Sequence, residues 1–170
     1  KSAIDSVLTK WQELCNLFPL MFYRRNDRIL QSEYKGDTLK KELENTNSFL
    51  FQFVKYIGFT KEQILQAVSG RTDGSTSNLQ DKIQRAIDTK INTPFESFYT
   101  VEKVTLKARF TTNVLSFTVS TDSGSTMTLG ERSDGLRWYL NLFIDVMANN
   151  LPSRQVVYLF DEPGISLHVN

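Results

Sequence analysis

The sequence has 170 residues, 40% apolar and 23% charged, which is typical of a soluble globular domain or of part of a larger one. Its net charge of +1 gives no support for a strongly basic nucleic-acid surface and leaves only a local basic patch open. No apolar run approaches the length of a membrane span and no signal peptide is recognisable, so we expect no membrane association. The single cysteine, Cys15, excludes an internal disulfide and is expected in the core of a cytoplasmic protein.

The amino-terminal part, residues 1–36, predicts a helix followed by a strand. Apolar residues recur at helical spacing up to about Asn16, and Pro19 then ends the helix. Residues 20–23 read LMFY and predict a short strand. The run RRNDR at residues 24–28 could meet phosphate or nucleic acid, but a solvated loop is the favoured interpretation of so small a cluster.

Residues 37–99 predict a helical block, whose first helix is capped by Asp37 or Thr38, runs through Tyr56 and stops at Gly58. Five aromatic residues lie in or just after this helix, at Phe49, Phe51, Phe53, Tyr56 and Phe59. We interpret them as core side chains rather than as a base-stacking platform.

The rest of the block predicts two more helices. A capping box at residues 60–63 begins a short helix that ends near Gly70. Residues 71–77 predict a flexible polar loop, and residues 79–99 a helix bent near Pro94.

From residue 100 the apolar pattern changes to period two, which indicates an antiparallel meander. Three strands joined by short turns are predicted, at residues 104–110, 114–120 and 127–129. On the second strand, one face carries Leu115, Phe117 and Val119, and we expect that face to be buried.

A phosphate-binding helix end is predicted after the meander. Ser133, Asp134 and Gly135 precede an apolar helix from Leu136 to about Asn149, with Ser133 as its cap. The positive amino end of a helix suits a phosphate, and Gly135 lets a backbone approach closely. Asp134 would repel a phosphate unless it points away or caps the helix. An ordinary capped core helix would account for Ser133 alone.

The apolar face of this helix is expected to pack on the sheet through Leu140, Phe143, Ile144 and Met147.

The five apolar residues Val156–Phe160 predict a strand buried on both faces, as in a parallel sheet. Such a strand delivers Asp161 and Glu162 at its carboxyl end, where open α/β sheets bind ligands. Carboxylates suit Mg²⁺, and a water that attacks a phosphate needs a base. Adjacent side chains point to opposite sides, so the two acids can divide these tasks. The alternative is an acidic turn without chemistry.

The run VVYLFDEPGISLH at residues 156–168 resembles the Walker B segment and D-loop of ABC-type ATPase heads, above all the SMC-like heads and the OLD-type ATPase–nucleases. Residues 131–140, ERSDGLRWYL, resemble the signature motif of the same group, and the order and short spacing of the two motifs make the resemblance specific. It covers about the last quarter of the chain. The sequence holds no G-x-x-x-x-G-K-[ST] phosphate loop (Walker A). It starts at Lys1 without Met and ends just past the D-loop-like stretch, so we expect an excerpt of a longer protein.

The resemblance implies an α/β fold, namely a fragment of a P-loop ABC-type ATPase head. Residues 1–36 would form a helix and strand of the ATPase core, and residues 37–99 a helical lid or arm insertion. Residues 100–170 would form the β-meander, the signature helix and the Walker B strand of the core.

The resemblance also implies roles for the two acids. Asp161 would hold Mg²⁺ through water, and Glu162 would be the catalytic residue that polarises the attacking water.

ATP would be shared between two copies of the chain. By resemblance, Ser133 and Gly135, with Arg132, would contact the nucleotide held by the opposite subunit of a homodimer. His168 stands where many ABC heads carry an aspartate and is included among the nucleotide-binding residues, although a loop histidine without chemistry is the alternative.

The group couples ATP-driven dimerisation to work on DNA, including defence against foreign DNA, with a nuclease domain or a partner subunit. A transporter ATPase subunit is disfavoured because residues 132–135 and 164–168 look unlike transporter versions of these motifs. A non-enzymatic interaction module built around the helical block stays open.

Overall fold

The computed structural model describes residues 7, 10, 20–24, 29–122, 124–149 and 156–160. The described chain is mixed α/β, which confirms the predicted fold class at this level. Val7 and Lys10 are helical, while the rest of the predicted amino-terminal helix, including Cys15, lies outside the described residues. The predicted strand at residues 20–23 is confirmed and extends to residue 24.

In chain order the elements are β1 (Leu20–Arg24), β2 (Glu33–Lys35), α1 (Gly36–Glu44), α2 (Phe49–Ile57), α3 (Lys61–Ala67), α4 (Gly74–Ile87), a π-helical turn (Asp88–Asn92), α5 (Thr93–Phe98), β3 (Val104–Thr111), β4 (Val114–Thr121), β5 (Thr126–Thr128), a 3-10 turn (Leu129–Glu131), α6 (Asp134–Asn149) and β6 (Val156–Phe160).

The prediction of a single helix through Tyr56 was wrong, because the structure has two helices, α1 and α2, with a non-helical segment between them. Short polar side chains there bond to nearby backbone: Asn45 Oδ1 accepts from the Asn47 N–H at 3.0 Å, and Ser48 Oγ caps α2 by accepting from the Phe51 N–H at 2.9 Å. Such bonds compete with helical ones and end the first helix.

Of the two predicted ends of this helical region, the start was wrong and the stop is confirmed. Asp37 and Thr38 lie inside α1, which begins at Gly36 without a side-chain cap, so the predicted cap was wrong. Gly58 ends α2 with φ of 91°, which confirms the predicted stop.

The capping box before α3 is confirmed, with Thr60 and Gln63 bonded reciprocally. The polar loop was predicted too long. Asp73 Oδ1 accepts from the Thr76 N–H at 2.7 Å, so α4 begins at Gly74. A π-helical turn directly precedes α5, while the bend predicted near Pro94 stays a prediction.

The antiparallel sheet confirms the predicted meander, with β3 and β5 both paired to β4. On β4, the face carrying Leu115, Phe117 and Val119 is buried, as predicted. The pattern did not indicate β2, a three-residue strand that pairs antiparallel with β4 in the register Tyr34↔Leu115.

The helices of the block and the sheet share one hydrophobic core. Phe53 of α2 meets Phe117 of β4 edge to face, with ring centroids 5.3 Å apart, and Phe49 is also buried. These contacts confirm the core interpretation for Phe49 and Phe53.

The predicted packing of α6 on the sheet stays a prediction, because the side chains of β1 and β6 lie outside the described residues. Among the described elements, α6 lies mainly against α2 and α5, and Phe143 contacts Phe95 with ring centroids 5.3 Å apart. The apolar face of α6 was assigned correctly, but apolarity alone does not say which surface covers it.

The β3–β4 hairpin tip is fastened to the end of α3. The Asn113 N–H donates to the Val68 carbonyl at 2.8 Å, and the Asn113 carbonyl accepts from the Gly36 N–H at 2.8 Å. Gly70 has φ of 74°, and a Cβ there would lie 2.4 Å from Thr112 Oγ1. Only glycine combines this backbone conformation with so close an approach.

We predict that Gly70→Ala lowers the free energy of unfolding by about 2–4 kcal/mol, since it adds a steric clash to the cost of a left-handed alanine. Gly124→Ala is the control, because φ there is 78° and a Cβ would meet nothing within 4 Å. The control should lose only about 1 kcal/mol in urea unfolding. Equal losses in the two variants would contradict the packing argument.

Candidate functional site

The predicted strand at residues 156–160 is confirmed as β6, and it pairs in parallel with β1. The register runs from Leu20↔Val156 to Arg24↔Phe160, so both strands end at the same edge of the pair. Asp161 and Glu162 follow Phe160 directly in the sequence.

The acidic half of the predicted site, with Asp161, Glu162 and His168, lies outside the described residues. Their roles stay predictions, as does the burial of β6. The described half is the turn and helix end at residues 128–135.

The turn before α6 is closed by hydrogen bonds of a side chain. Glu131 Oε2 accepts from the Thr128 N–H at 2.7 Å and from the Thr128 hydroxyl at 2.8 Å. Both bonds lower the pKa of the Glu131 carboxyl from its ordinary value, and the bond from the Thr128 N–H has the larger effect. Leu129 is fully buried, and a Cβ on Gly130 would lie 2.8 Å from Ser32 Oγ. Burial of Leu129 and the bonds of Glu131 therefore fix the chain on either side of Gly130, just before the signature-like residues 131–140.

Ser133 caps α6 as predicted, with Oγ accepting from the Leu136 N–H at 3.4 Å. Leu136 is buried beneath the first turn, whereas Ser133 and Asp134 are exposed and Gly135 is half-buried. The carboxylate of Asp134 lies 3.3 Å from Arg137 Nη1 on its own helix, so it neither caps α6 nor stands alone. The 16-residue helix α6 therefore begins with two exposed side chains.

Arg132 forms an ion pair with Glu102, which lies in the connection between α5 and β3. The Arg132 side chain is only 14% exposed. Glu102 and Arg132 both act on Tyr99, whose pKa is raised chiefly by burial. Any contact of Arg132 with a nucleotide would have to compete with Glu102.

A fully buried amide fixes α6 from its other side. Asn141 Oδ1 accepts from the Leu30 N–H at 2.7 Å, and Asn141 Nδ2 donates to the Arg137 carbonyl at 2.6 Å. Leu30 belongs to the segment between β1 and β2. Asn141 therefore ties the chain that leaves β1 to the helix that carries Ser133.

Comparisons of the chain with protein-family models, with curated protein sequences and with solved structures return no match. In the part of the chain that the structure covers, no helix is long and apolar enough to cross a membrane. The same residues contain no group of three or more histidine, cysteine, aspartate or glutamate side chains that could hold a metal ion.

Glu102 and Asn141 were missed by sequence reasoning. Asn141 left a signal, since it interrupts the apolar face of α6 between Leu140 and Ile144, and an amide in such a position needs a partner. No signal in the sequence pointed to Glu102, because a single acid in a connecting segment does not indicate which cation it contacts.

We predict that Asn141→Ala lowers the free energy of unfolding by about 1–3 kcal/mol, because it leaves the buried Leu30 N–H without an acceptor. Asn149→Ala is the matched control, since Asn149 makes the same bond to the carbonyl four residues earlier, at 2.8 Å to Asp145, but is only half-buried. Urea unfolding should show a clearly smaller loss for the control. A loss at Asn141 no greater than at Asn149 would mean that the bond to Leu30 contributes nothing.

We also predict a coupling energy of about 1 kcal/mol or more between Arg132 and Glu102 in a double-mutant cycle with Arg132→Met and Glu102→Gln, because the pair is partly buried. The Lys103–Glu96 pair, 3.1 Å apart with both side chains 51% exposed, is the control. It should couple clearly less, because solvent screens it. The order of the two couplings, measured by chemical unfolding, decides whether the Arg132 pair holds the turn.

Proposed function

We propose that this chain is part of an ABC-type ATPase head of the SMC-like or OLD-like kind, which binds and hydrolyses ATP as a dimer and acts on DNA. The observation that carries the proposal is the exposed, Ser133-capped amino end of α6, placed one helix before a parallel strand that runs directly into Asp161 and Glu162. The sequence resemblance of both segments points to the same kind of protein.

In this proposal the helix end binds phosphate. The free N–H groups of the first turn, with the Ser133 hydroxyl and the backbone at Gly135, would contact the γ-phosphate of ATP held by a second copy of the chain. The fit is favourable because this end is exposed while Leu136 anchors it. Asp134 opposes the fit only in part, since Arg137 lies 3.3 Å from its carboxylate.

The acidic pair would serve the reaction itself. Asp161 would hold Mg²⁺ through water, and the ion would supply positive charge to the phosphates. Glu162 would accept a hydrogen bond from the attacking water and take its proton. His168 and Arg132 would complete the nucleotide contacts, with Arg132 released in part from Glu102.

The proposal requires a phosphate-cradling loop from outside these 170 residues, because none is present in the sequence. The 170-residue chain alone should therefore neither bind ATP tightly nor hydrolyse it. The proposed work on DNA rests on the sequence resemblance. So do defence against foreign DNA and the presence of a nuclease domain or a partner subunit.

We predict that Glu162→Gln in the full-length protein abolishes ATP turnover but still allows ATP to bind, so that an ATP-bound dimer accumulates. Size-exclusion chromatography with light scattering, with and without ATP and Mg²⁺, measures the dimer. Glu44→Gln makes the same chemical change at an exposed position on α1 and should leave turnover unchanged.

Two results would count against the proposal. One is a dimer fraction in the Glu162→Gln protein that does not respond to ATP. The other is steady ATP turnover by the 170-residue chain alone that Glu162→Gln removes.

A further inference from the structure

β3 has a second edge that faces the helical block. One edge pairs with β4, and side-chain amides bond to the other edge as far as Ala108. Asn92 Oδ1 accepts from the Leu106 N–H at 2.8 Å, and Gln84 Oε1 accepts from the Ala108 N–H at 2.9 Å. Both amides also donate to the Leu106 carbonyl, at 2.9 and 3.2 Å. They take the place that a neighbouring strand would otherwise have.

This cover ends before Phe110. Backbone N–H groups of alternate strand residues point to the same edge, so the Phe110 N–H faces the same way as those of Leu106 and Ala108. Gln80, one helical turn before Gln84, could have continued the row, but it donates to the Ala67 carbonyl at 2.7 Å. Among the described residues no side chain takes the corresponding place at Phe110.

A groove of about 490 Å³ opens where the amide cover ends, between α4 and the second half of β3. Lys107 and Arg109 are exposed on the outer face of the strand and have no ion-pair partner within the described ranges. Ala108 and Phe110, half-buried, lie on the opposite face. Asp81 on α4 is the one carboxylate in the lining, so cations outnumber acids there.

We propose that this edge of β3 binds an extended peptide of a partner protein by strand addition, and that the peptide alternates acidic with apolar residues. The alternation follows from the strand, since peptide residues on the outer face would meet Arg109 and, diagonally, Lys107, and those on the other face would meet Phe110. A second copy of the chain is a poor occupant, because β3 paired with itself would place its cations side by side. The site is independent of the ATPase proposal.

The test uses the ¹⁵N-labelled 170-residue chain and the peptide acetyl-Val-Glu-Val-Glu-Val-amide, followed by NMR. Binding should slow hydrogen exchange of the Phe110 amide by about tenfold or more, because a new backbone bond protects it. A peptide with lysine in place of glutamate should bind at least about tenfold more weakly.

The double variant Lys107→Glu/Arg109→Glu should reverse the preference, binding the lysine peptide better than the glutamate one. Lys40→Glu/Lys41→Glu is the matched control, with the same change in charge at two exposed positions on α1, and it should bind like the unchanged chain. Absence of saturable binding up to about 1 mM peptide would overturn the proposal. So would equal binding of both peptides, or binding that leaves Phe110 exchange unchanged.

Discussion

The parallel pairing of β1 with β6 is the constraint on which the arrangement of the candidate site depends. Parallel neighbours cannot be joined by a tight turn, so the chain between them must cross over and return to the starting end. Here that crossover contains the helical block, the antiparallel sheet and α6. The entropy lost on closing so long a connection grows only slowly with its length, and the crossover's own core offsets it.

Helix α6 lies at the end of this crossover and is held at two places of different strength. The Asn141 amide is fully buried and bonds to the backbone near the start of the crossover. Loss of a buried bond of this kind is costly because a donor then stays unpaired in a dry environment. The Arg132–Glu102 pair is partly in water, so solvent screens it and its contribution is smaller.

The consequence for function is a helix end that is exposed but not loose. Ser133 and Asp134 face solvent, while Leu136 beneath them and Leu129 before them are buried. A binding group placed on a fixed element loses little entropy when it meets a ligand. Arg132 of the same turn forms an ion pair with Glu102 in the connection after the helical block. A displacement of that connection would therefore change the position of the Arg132 side chain.

The free edge of β3 is also held by side chains of the helical block. Two amides from the helical block replace a missing strand as far as Ala108, and the uncovered part of the edge begins beside Arg109. Cations on an edge prevent pairing with an identical edge and leave pairing with an acidic one open.

Much of the local structure could be predicted because it depends on neighbours in the chain. Period-two alternation gave β3 and β4, the capping box at residues 60–63 gave the start of α3, and Ser133 was recognised as the cap of α6. The break before α2 was also local, but the apolar stripe concealed the competing bonds of Asn45 and Ser48.

Only the tertiary structure decided the partners of the polar groups and the surface that covers α6. The sequence by itself determined that α6 has an apolar face, that its first turn is capped and that an apolar run ends at two acids. It could not determine that Asn141 meets Leu30, that Arg132 meets Glu102 or that Gln84 and Asn92 cover a strand edge. Periodicity follows from the repeat of a single element, whereas these contacts join residues from 14 to 111 positions apart and exist only once the whole core has formed.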